Sequence, residues 1–396
     1  MENKEITFNE TDKWLVENCF KIDEVLAIVF LGRSGSVFLG SLLDNHPQVI
    51  MLPGTQLAFY DFFWEKYSGL SNVENLVNTF CAYFSSFFDV HAFSPLSLGT
   101  QPSLDLGFSS MGEDRNEKVE IDKEKFKKIM YCILSKISHV NKKNFFQAIH
   151  VAYTISNDNS SRLDKNRLPL IVYQLHMNWE NLVTSLVSDF PKTKFIHMIR
   201  EPFQTVGSHF KHTNYRANVM NYFYRDAFPY AENSASKAIK LEDLHTQPTE
   251  VMKKISDWIN IGWSDSLMES TFNGKKWWNL KDVEQVSGFN KVIISKNHSS
   301  LYYKFDKYRL EILYSKRFKL WGYSSKTYSK LDHFIALPLL LFPFKMEIIS
   351  YRNAFSITKL HGLKNIVLDL FSKKRFYLFS AWKYSLSKEV REVRLL

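Results

Sequence analysis

The sequence predicts an α/β fold, a three-layer sandwich with a central parallel sheet, and three observations support this prediction. Residues 25–31 form a continuous apolar run without polar alternation, which is typical of a strand buried on both faces. Residues 170–175 and 194–199 are two further apolar runs of strand length. Helical patterns follow the first and the third run, and strands that alternate with helices indicate a parallel sheet with helices on both faces.

The first strand ends in a loop that is a candidate phosphate cradle. Its sequence is Gly32-Arg33-Ser34-Gly35-Ser36, and the apolar stripe from Val37 to Leu43 predicts that a helix follows. Glycines let the backbone turn tightly and aim N–H groups at an anion, and the helix N-terminus adds a favourable dipole. The pattern GxxxxGK[ST] is absent, so this P-loop-like segment is not a Walker A loop, and by itself it fits an ordinary turn equally well.

The third strand leads into a second strand–loop–helix unit. Arg200-Glu201-Pro202 follows it, and proline near the first helical position suits the start of a helix that includes Ser208. Downstream, residues 238–241 are predicted as a fourth strand and residues 248–259 as an amphipathic helix.

Three polar side chains are expected at the same edge of the sheet. Arg33, His176 and Arg200 each follow the end of a predicted strand. Open parallel sheets bind ligands at the carboxyl ends of their strands, so the sequence predicts a binding site there.

Taken together, the two units resemble the two elements with which the sulfotransferase superfamily binds 3′-phosphoadenosine 5′-phosphosulfate (PAPS). The loop from Gly32 to Ser36 is similar to the 5′-phosphosulfate loop of that family, and Arg200, with Ser208 eight residues later, is similar to its 3′-phosphate element. The order and the offset both match, which makes the joint signal more specific than either motif. The resemblance covers roughly residues 25–323.

The resemblance implies roles for individual residues. Arg33 would neutralise charge on the transferring group, while Ser34 and the backbone of Gly35 and Ser36 would hold the 5′-phosphate. Val37, the next residue, would also contact the cofactor, although some relatives have a hydroxyl residue at this position. Gly274 and Lys275 look like the late loop that closes over the nucleotide, and Trp277-Trp278 beside them could stack on a ring or pack in the core. No metal is required, and the sequence contains no metal-ligand cluster.

The acceptor hydroxyl requires a base, and His176 is the first candidate. Imidazole has an ordinary pKa near neutrality, which suits a base, and His176 precedes Arg200 by 24 residues, an offset similar to that of the catalytic histidine in relatives that act on small molecules. A histidine that only bonds a neighbouring loop is an equally acceptable reading. Other relatives use a carboxylate shortly after the first motif, but residues 48–57 contain none, which leaves Asp61 and Glu65 as alternatives.

Charge is concentrated towards the end of the chain. The formal net charge is +10, and residues 345–396 contain 11 Lys and Arg against 4 Asp and Glu, so the body is only mildly basic and no nucleic-acid partner is expected. We divide the chain into a catalytic domain, residues 1–325, and a basic, mostly helical C-terminal extension, residues 326–396. The extension could bind a membrane surface, or it could pack on its own domain.

Several readings of function remain open on the sequence alone. The acceptor could be a glycan, a glycolipid or a small alcohol. The rival classes are a nucleotide-dependent kinase-like phosphotransferase and a non-catalytic nucleotide-binding protein. The three cysteines form no CxxC pair and the first ten residues lack a secretory pattern, so a cytoplasmic location is expected, with peripheral contact to the inner membrane face as an option.

Overall fold

The computed structural model describes eleven stretches of the chain. They are residues 7–30, 33–70, 72–92, 107–175, 180–212, 234–279, 287–295, 297–324, 326–357, 373–388 and 392–396.

A five-stranded parallel sheet forms the centre of the fold, with helices flanking it, and this confirms the predicted fold class. The strands are β1 (Val25–Phe30), β2 (Val49–Met51), β3 (Leu170–Leu175), β4 (Lys194–Ile199) and β5 (Ser236–Lys240). Their order in the sheet is β2-β3-β1-β4-β5. Two short strands, β6 (Thr271–Phe272) and β7 (Lys275–Lys276), make a separate hairpin.

The predicted strands agree closely with the observed ones. The bounds of β3 and β4 are those expected from the apolar runs, because both strands are buried on both faces. Strand β5 begins two residues earlier than predicted. It also ends one residue earlier, because Leu241 already begins a helix.

Helices make up most of the remaining described chain. They are α1 (Glu10–Asn18), α2 (Ser36–Leu43), α3 (Tyr60–Tyr67), α4 (Val73–Tyr83), α5 (Lys123–Leu134), α6 (Lys142–Ser156), α7 (Glu180–Asp189), α8 (Pro202–His212), α9 (Leu241–Thr246), α10 (Pro248–Ile259), α11 (Val292–Ser295), α12 (Lys304–Leu313), α13 (Ser315–Leu320), α14 (Lys330–Leu339), α15 (Lys345–Ile357) and α16 (Lys373–Leu386). In the part of the chain described here, none of these helices is both long enough and apolar enough to cross a membrane.

The chain divides into two compact units. One comprises Met1–Val29, Ser36–Ile196 and Asp243–Asn290, and the other comprises Phe30–Gly35, His197–Glu242 and Lys291–Leu396. In the first unit, helices α3 to α6 enclose an aromatic core. Phe63, Phe80 and Phe145 are fully buried there, with ring centroids 5.5 to 6.2 Å apart, so ring packing stabilises this part of the unit.

The second unit has a core to which the C-terminal helices contribute. Leu340, Met346 and Leu378 belong to the same buried cluster as Val206 and Phe210 of α8. The described part of the predicted extension therefore packs on its own unit, while the division after residue 325 stays a prediction.

The last residues of the chain extend the sheet edge. The Ala238 N–H of β5 donates to the Arg394 carbonyl at 2.8 Å, and the Leu396 N–H donates to the Ala238 carbonyl at 3.1 Å, in a parallel arrangement. Pairing of this kind satisfies backbone groups that an edge strand would otherwise expose.

Candidate functional site

The strand order creates a topological switch point between β1 and β4. The chain leaves β1 towards β2 on one side, whereas it leaves β4 towards β5 on the other side. Connections that diverge in this way open a crevice at the carboxyl ends of the two strands, where α/β proteins bind ligands. Arg33 follows β1 and Arg200 follows β4 directly, so both arginines lie at this edge.

The loop after β1 has a backbone that only glycine accommodates easily. Gly35 has φ of +91°, in the left-handed region, and a Cβ built on it would lie 2.5 Å from Cδ1 of Leu241. Ser34 is completely buried and Arg33 is half-buried. The loop therefore turns tightly against its surroundings and delivers the chain to Ser36, the first residue of α2.

The contact with Leu241 places this loop near the end of β4. Leu241 is the first residue after β5, and β4 lies between β1 and β5 in the sheet. A loop that leaves β1 and contacts the residue after β5 lies near the carboxyl end of β4, which Arg200 follows. Arg33, Ser34 and Gly35 therefore lie at the same edge of the sheet as Arg200.

Local hydrogen bonds explain the shape of the Arg200-Glu201-Pro202 turn. A carboxylate oxygen of Glu201 accepts the Gln204 N–H at 2.8 Å, which caps α8, and Pro202 occupies the first helical position. The Glu201 N–H donates to Glu242 at 2.9 Å, and the other carboxylate oxygen of Glu242 accepts the Tyr323 hydroxyl at 2.8 Å. These bonds hold the backbone of the turn that follows Arg200, and they therefore help to orient this residue.

Arg200 itself is a buried cation with a donor still to be satisfied. It is 4% exposed, and its Nη2 donates to the Ile293 carbonyl at 3.1 Å. Its Nε is buried and has no hydrogen-bond partner among the described residues. Burial lowers the pKa of this guanidinium, and the nearby carboxylates of Glu242 and Glu201 raise it; arginine stays protonated in proteins. A buried charged donor of this kind is suited to an anion.

A small cleft beside Arg200 contains a second arginine that the sequence analysis missed. Tyr314, Arg317 and Trp321 line it together with Arg200 and Thr205. No motif surrounds Arg317 in the sequence, so the only signal would have been its place in the fold.

The charge of Arg317 is partly balanced from the end of the chain. Its Nε lies 3.6 Å from one carboxylate oxygen of Glu392, and the other carboxylate oxygen of Glu392 accepts the Tyr384 hydroxyl. The Trp321 indole N–H donates to the Val393 carbonyl at 3.0 Å, so the last residues hold the wall of the cleft.

Ser208 lies on α8, two turns beyond Arg200, and is half-buried. The preceding Gly207 allows close approach, because a Cβ there would lie 2.4 Å from Cβ of His298. His209 is half-buried on the same helix, and the side chain of His212 lies outside the described residues.

Gly274 and Lys275 lie in the β6–β7 hairpin of the first unit and already have protein partners. The Gly274 N–H donates to Asp44 at 2.9 Å, and Lys275 forms an ion pair with Glu117 at 2.8 Å. Their predicted role over a nucleotide stays a prediction.

The paired tryptophans beside this hairpin are engaged by the protein. Trp277 is buried against Phe272, and the Trp278 indole donates to the Gly112 carbonyl at 2.7 Å. Both rings therefore already pack against, or hydrogen-bond to, other parts of the protein.

The candidate bases differ in how far the structure describes them. His176 lies outside the described residues, directly after the end of β3. Asp61 forms an ion pair with Lys142 and accepts the Ser185 hydroxyl at 3.2 Å, and Glu65 is exposed. Within the described stretches there is no cluster of three or more His, Cys, Asp or Glu side chains that could hold a metal ion.

Fold and site together define an α/β protein that carries a tight glycine-containing loop and a buried arginine at a topological switch point. The model of the sulfotransferase family matches residues 26–265. The chain therefore belongs to the sulfotransferase family. No protein in the curated collection matches it.

Solved structures similar to the chain are also sulfotransferases. The sulfotransferase domain from the curacin biosynthetic pathway is 14% identical, with a TM-score of 0.37 and coverage of 68% of this chain and 86% of that one. The sulfotransferase domain from a Synechococcus olefin synthase is 14% identical, with a TM-score of 0.33 and coverage of 81% and 95%. A sulfotransferase from Mycobacterium avium is 11% identical, with a TM-score of 0.32 and coverage of 65% and 70%.

Proposed function

We propose that this protein transfers a sulfuryl group from PAPS to an acceptor hydroxyl. The observation that carries the proposal is the contact of Gly35 with Leu241, the residue after β5, at the edge of the sheet where Arg200 is buried. A donor with phosphates at both its 3′ and 5′ positions needs two anion sites a nucleoside apart. The loop and the second arginine motif supply one each.

In this proposal the loop binds the 5′ end of the donor. The positive φ of Gly35 turns backbone N–H groups towards the start of α2, where an anion is favoured by the helix dipole. Arg33 neutralises negative charge on the transferring group, Ser34 donates its hydroxyl, and Ser36 and Val37 contribute the first N–H groups of the helix.

The 3′-phosphate is assigned to Arg200, with help from Ser208 and Arg317. The buried Nε of Arg200 is a donor that a phosphate oxygen satisfies, and Arg317 lines the same cleft. Two guanidinium groups in a low-dielectric environment favour a dianion more strongly than they favour a neutral ribose hydroxyl. We therefore expect the protein to bind a nucleotide with a 3′-phosphate more tightly than one with a free 3′-hydroxyl.

Transfer itself proceeds in line. The bond from the acceptor oxygen to sulfur forms while the bond from sulfur to the phosphate oxygen breaks, and the bisphosphate leaves. We assign the acceptor proton to His176, because it follows β3, the other neighbour of β1 in the sheet. Positioning and charge stabilisation by the arginines do most of the catalytic work, as in phosphoryl transfer. The acceptor class we propose is a hydroxyl of a glycan, a glycolipid or a small alcohol.

The test is a calorimetric titration with 3′-phosphoadenosine 5′-phosphate, adenosine 5′-phosphate and ATP. We expect binding of the bisphosphate, much weaker binding of the monophosphate, and loss of bisphosphate binding in Arg200→Ala and in Arg33→Ala. Arg352→Ala, which removes an exposed arginine on α15, is the matched control and should bind normally. Binding of ATP with magnesium in the absence of bisphosphate binding would replace this proposal with a phosphotransferase.

A further inference from the structure

Helix α14 exposes an apolar face, although its other side is packed in the core. Leu331 is 66% exposed, Phe334 70% and Ile335 47%, whereas His333 and Ala336 on the opposite side are buried. The exposed positions are spaced by three and four residues and therefore share one side of the helix. Single exposed apolar residues are ordinary in proteins, but a contiguous group of large ones indicates an interaction surface.

The face continues beyond the end of the helix. Leu341 and Phe342 are 59% and 58% exposed in the turn that follows α14. We call the five side chains the α14 apolar face, and they are Leu331, Phe334, Ile335, Leu341 and Phe342.

A buried arginine connects this face to aromatic residues at the start of α12. Arg309 donates to the Phe342 carbonyl at 2.7 Å, and its guanidinium lies 4.9 Å from the ring centroid of Phe305. The Phe305 ring, 42% exposed, stacks on Tyr303, which is 38% exposed. These two exposed rings therefore lie near the turn that carries Phe342.

The border of the surface is basic. Lys330 precedes Leu331, and Lys304 lies between Tyr303 and Phe305; both lysines are exposed, and neither forms an ion pair with any other described residue. The carboxylates nearby are engaged, because Asp306 pairs with Arg309 in the interior.

The remaining acidic groups of this region are also occupied. Asp332 caps α14 by accepting the Ser329 N–H at 2.8 Å, and Glu311 accepts the Tyr328 hydroxyl and pairs with Lys326. Lys304 and Lys330 are therefore the cations at this border whose charge no ion pair among the described residues offsets, and they favour an anionic partner.

We propose that the α14 apolar face, with Lys304 and Lys330 at its border, docks the protein on an anionic lipid surface. Large apolar side chains would enter the boundary between headgroups and acyl chains, and the lysines would contact lipid phosphates. Pairing of two copies through this face is disfavoured, because a two-fold arrangement brings the like-charged border lysines together. The inference does not depend on the identity of the sulfuryl donor.

The test is sedimentation of the full-length protein with vesicles of phosphatidylcholine alone and with vesicles that also contain phosphatidylglycerol. Wild type is expected to bind the anionic vesicles, and added salt should weaken this binding. Leu331→Ser/Phe334→Ser should lower the partition coefficient by about tenfold or more, because two large apolar side chains no longer enter the boundary between headgroups and acyl chains. Trp263→Ser, at a residue that is also exposed and lies outside the face, should bind like wild type.

A second variant separates docking from folding. Lys304→Gln/Lys330→Gln leaves the apolar residues intact and should reduce binding to anionic vesicles selectively. Unchanged vesicle binding in both double variants would overturn the proposal. A failure of wild type to bind the anionic vesicles would also overturn it. If, in addition, wild type forms a concentration-dependent dimer that the serine variant loses, the face belongs to a contact with a second copy of the chain.

Discussion

Gly35 and Leu241 lie so close that a single methyl group on the glycine would come within 2.5 Å of the leucine Cδ1 atom. These residues are more than 200 positions apart in the sequence, and their contact joins the loop after β1 to the residue after β5. The geometry of the candidate anion site therefore depends on the absence of a side chain at one position.

The variant Gly35→Ala is expected to weaken binding of 3′-phosphoadenosine 5′-phosphate by more than tenfold. Alanine at φ of +91° is strained and also meets Leu241, so we expect a loss of about 1 kcal/mol or more in the free energy of unfolding. Calorimetric titration and urea denaturation measure the two effects. Gly69→Ala, at a glycine with open space around it, is the control. If Gly35→Ala binds the bisphosphate with wild-type affinity, the loop does not take part in the binding site.

The roles of Arg317 in binding and in stability can be separated with Glu392. Arg317→Met removes a cation from the cleft and leaves Glu392 buried without its ion-pair partner, so both affinity and stability should fall. Loss of one charged contact to phosphate corresponds to about 1.5–3 kcal/mol, or roughly 10- to 150-fold in Kd.

In the double variant Arg317→Met/Glu392→Gln, the buried carboxylate is neutral. Thermal stability should recover towards wild type, because the buried side chain no longer carries the charge that Arg317 balanced, while bisphosphate affinity stays low. If affinity recovers together with stability, Arg317 acts only through the fold of the C-terminal segment.

The base assignment is tested with His176→Ala and Asp61→Asn. Removal of the general base should lower kcat by about 10²- to 10⁴-fold with bisphosphate affinity unchanged. Asp61→Asn should affect stability more than turnover, because this carboxylate is occupied by Lys142 and Ser185. Single-turnover transfer to an acceptor found by screening glycans, glycolipids and small alcohols is the measurement. If kcat instead falls in Asp61→Asn and is unchanged in His176→Ala, Asp61 is the base.

Two buried histidines predict loss of stability at acidic pH. Burial lowers the pKa of His150 to about 4 and that of His197 to about 3, whereas both titrate near 6.5 when the chain is unfolded. Below pH ~6.5 the unfolded chain takes up protons that the folded protein does not, so the free energy of unfolding falls as the pH drops towards these values.

His150→Leu isolates one of these groups. The His150 Nδ1–H donates to the Phe146 carbonyl at 2.8 Å, so the neutral ring is held in a single orientation. Thermal melts between neutral pH and pH ~4.5 should show a flatter decline in the variant, because one proton-linked step is absent. An identical pH dependence in wild type and variant would assign the acid sensitivity to other groups.

Much of the fold was predictable because its signals are local. The strands at residues 170–175 and 194–199 are continuous apolar runs, and Pro202 and Pro248 each stand at the first position of a helix. The first motif could be recognised for a similar reason, since a glycine-rich turn between a strand and a helix is a property of consecutive residues. The joint spacing of Arg200 and Ser208 then identified the family.

Other features had no local signal. Nothing near Arg317 distinguishes it from other arginines, and its place beside Arg200 arises from how α13 packs in its unit. The apolar run at residues 334–344 was visible in the sequence, but which side chains it buries and which it exposes depends on the partners of α14.

By itself, then, the sequence predicted four of the five strands of the central sheet, the helices that follow β1 and β4, the candidate anion-binding loop and the second arginine motif, because periodicity, capping and turn chemistry act over a few residues. The tertiary structure alone decided the place of the short strand β2, the contact of the loop with Leu241, the position of Glu392 against Arg317, and the exposure of an apolar face on α14. These relationships join residues far apart in the chain, and their geometry is set by packing of whole elements rather than by the preferences of neighbouring residues.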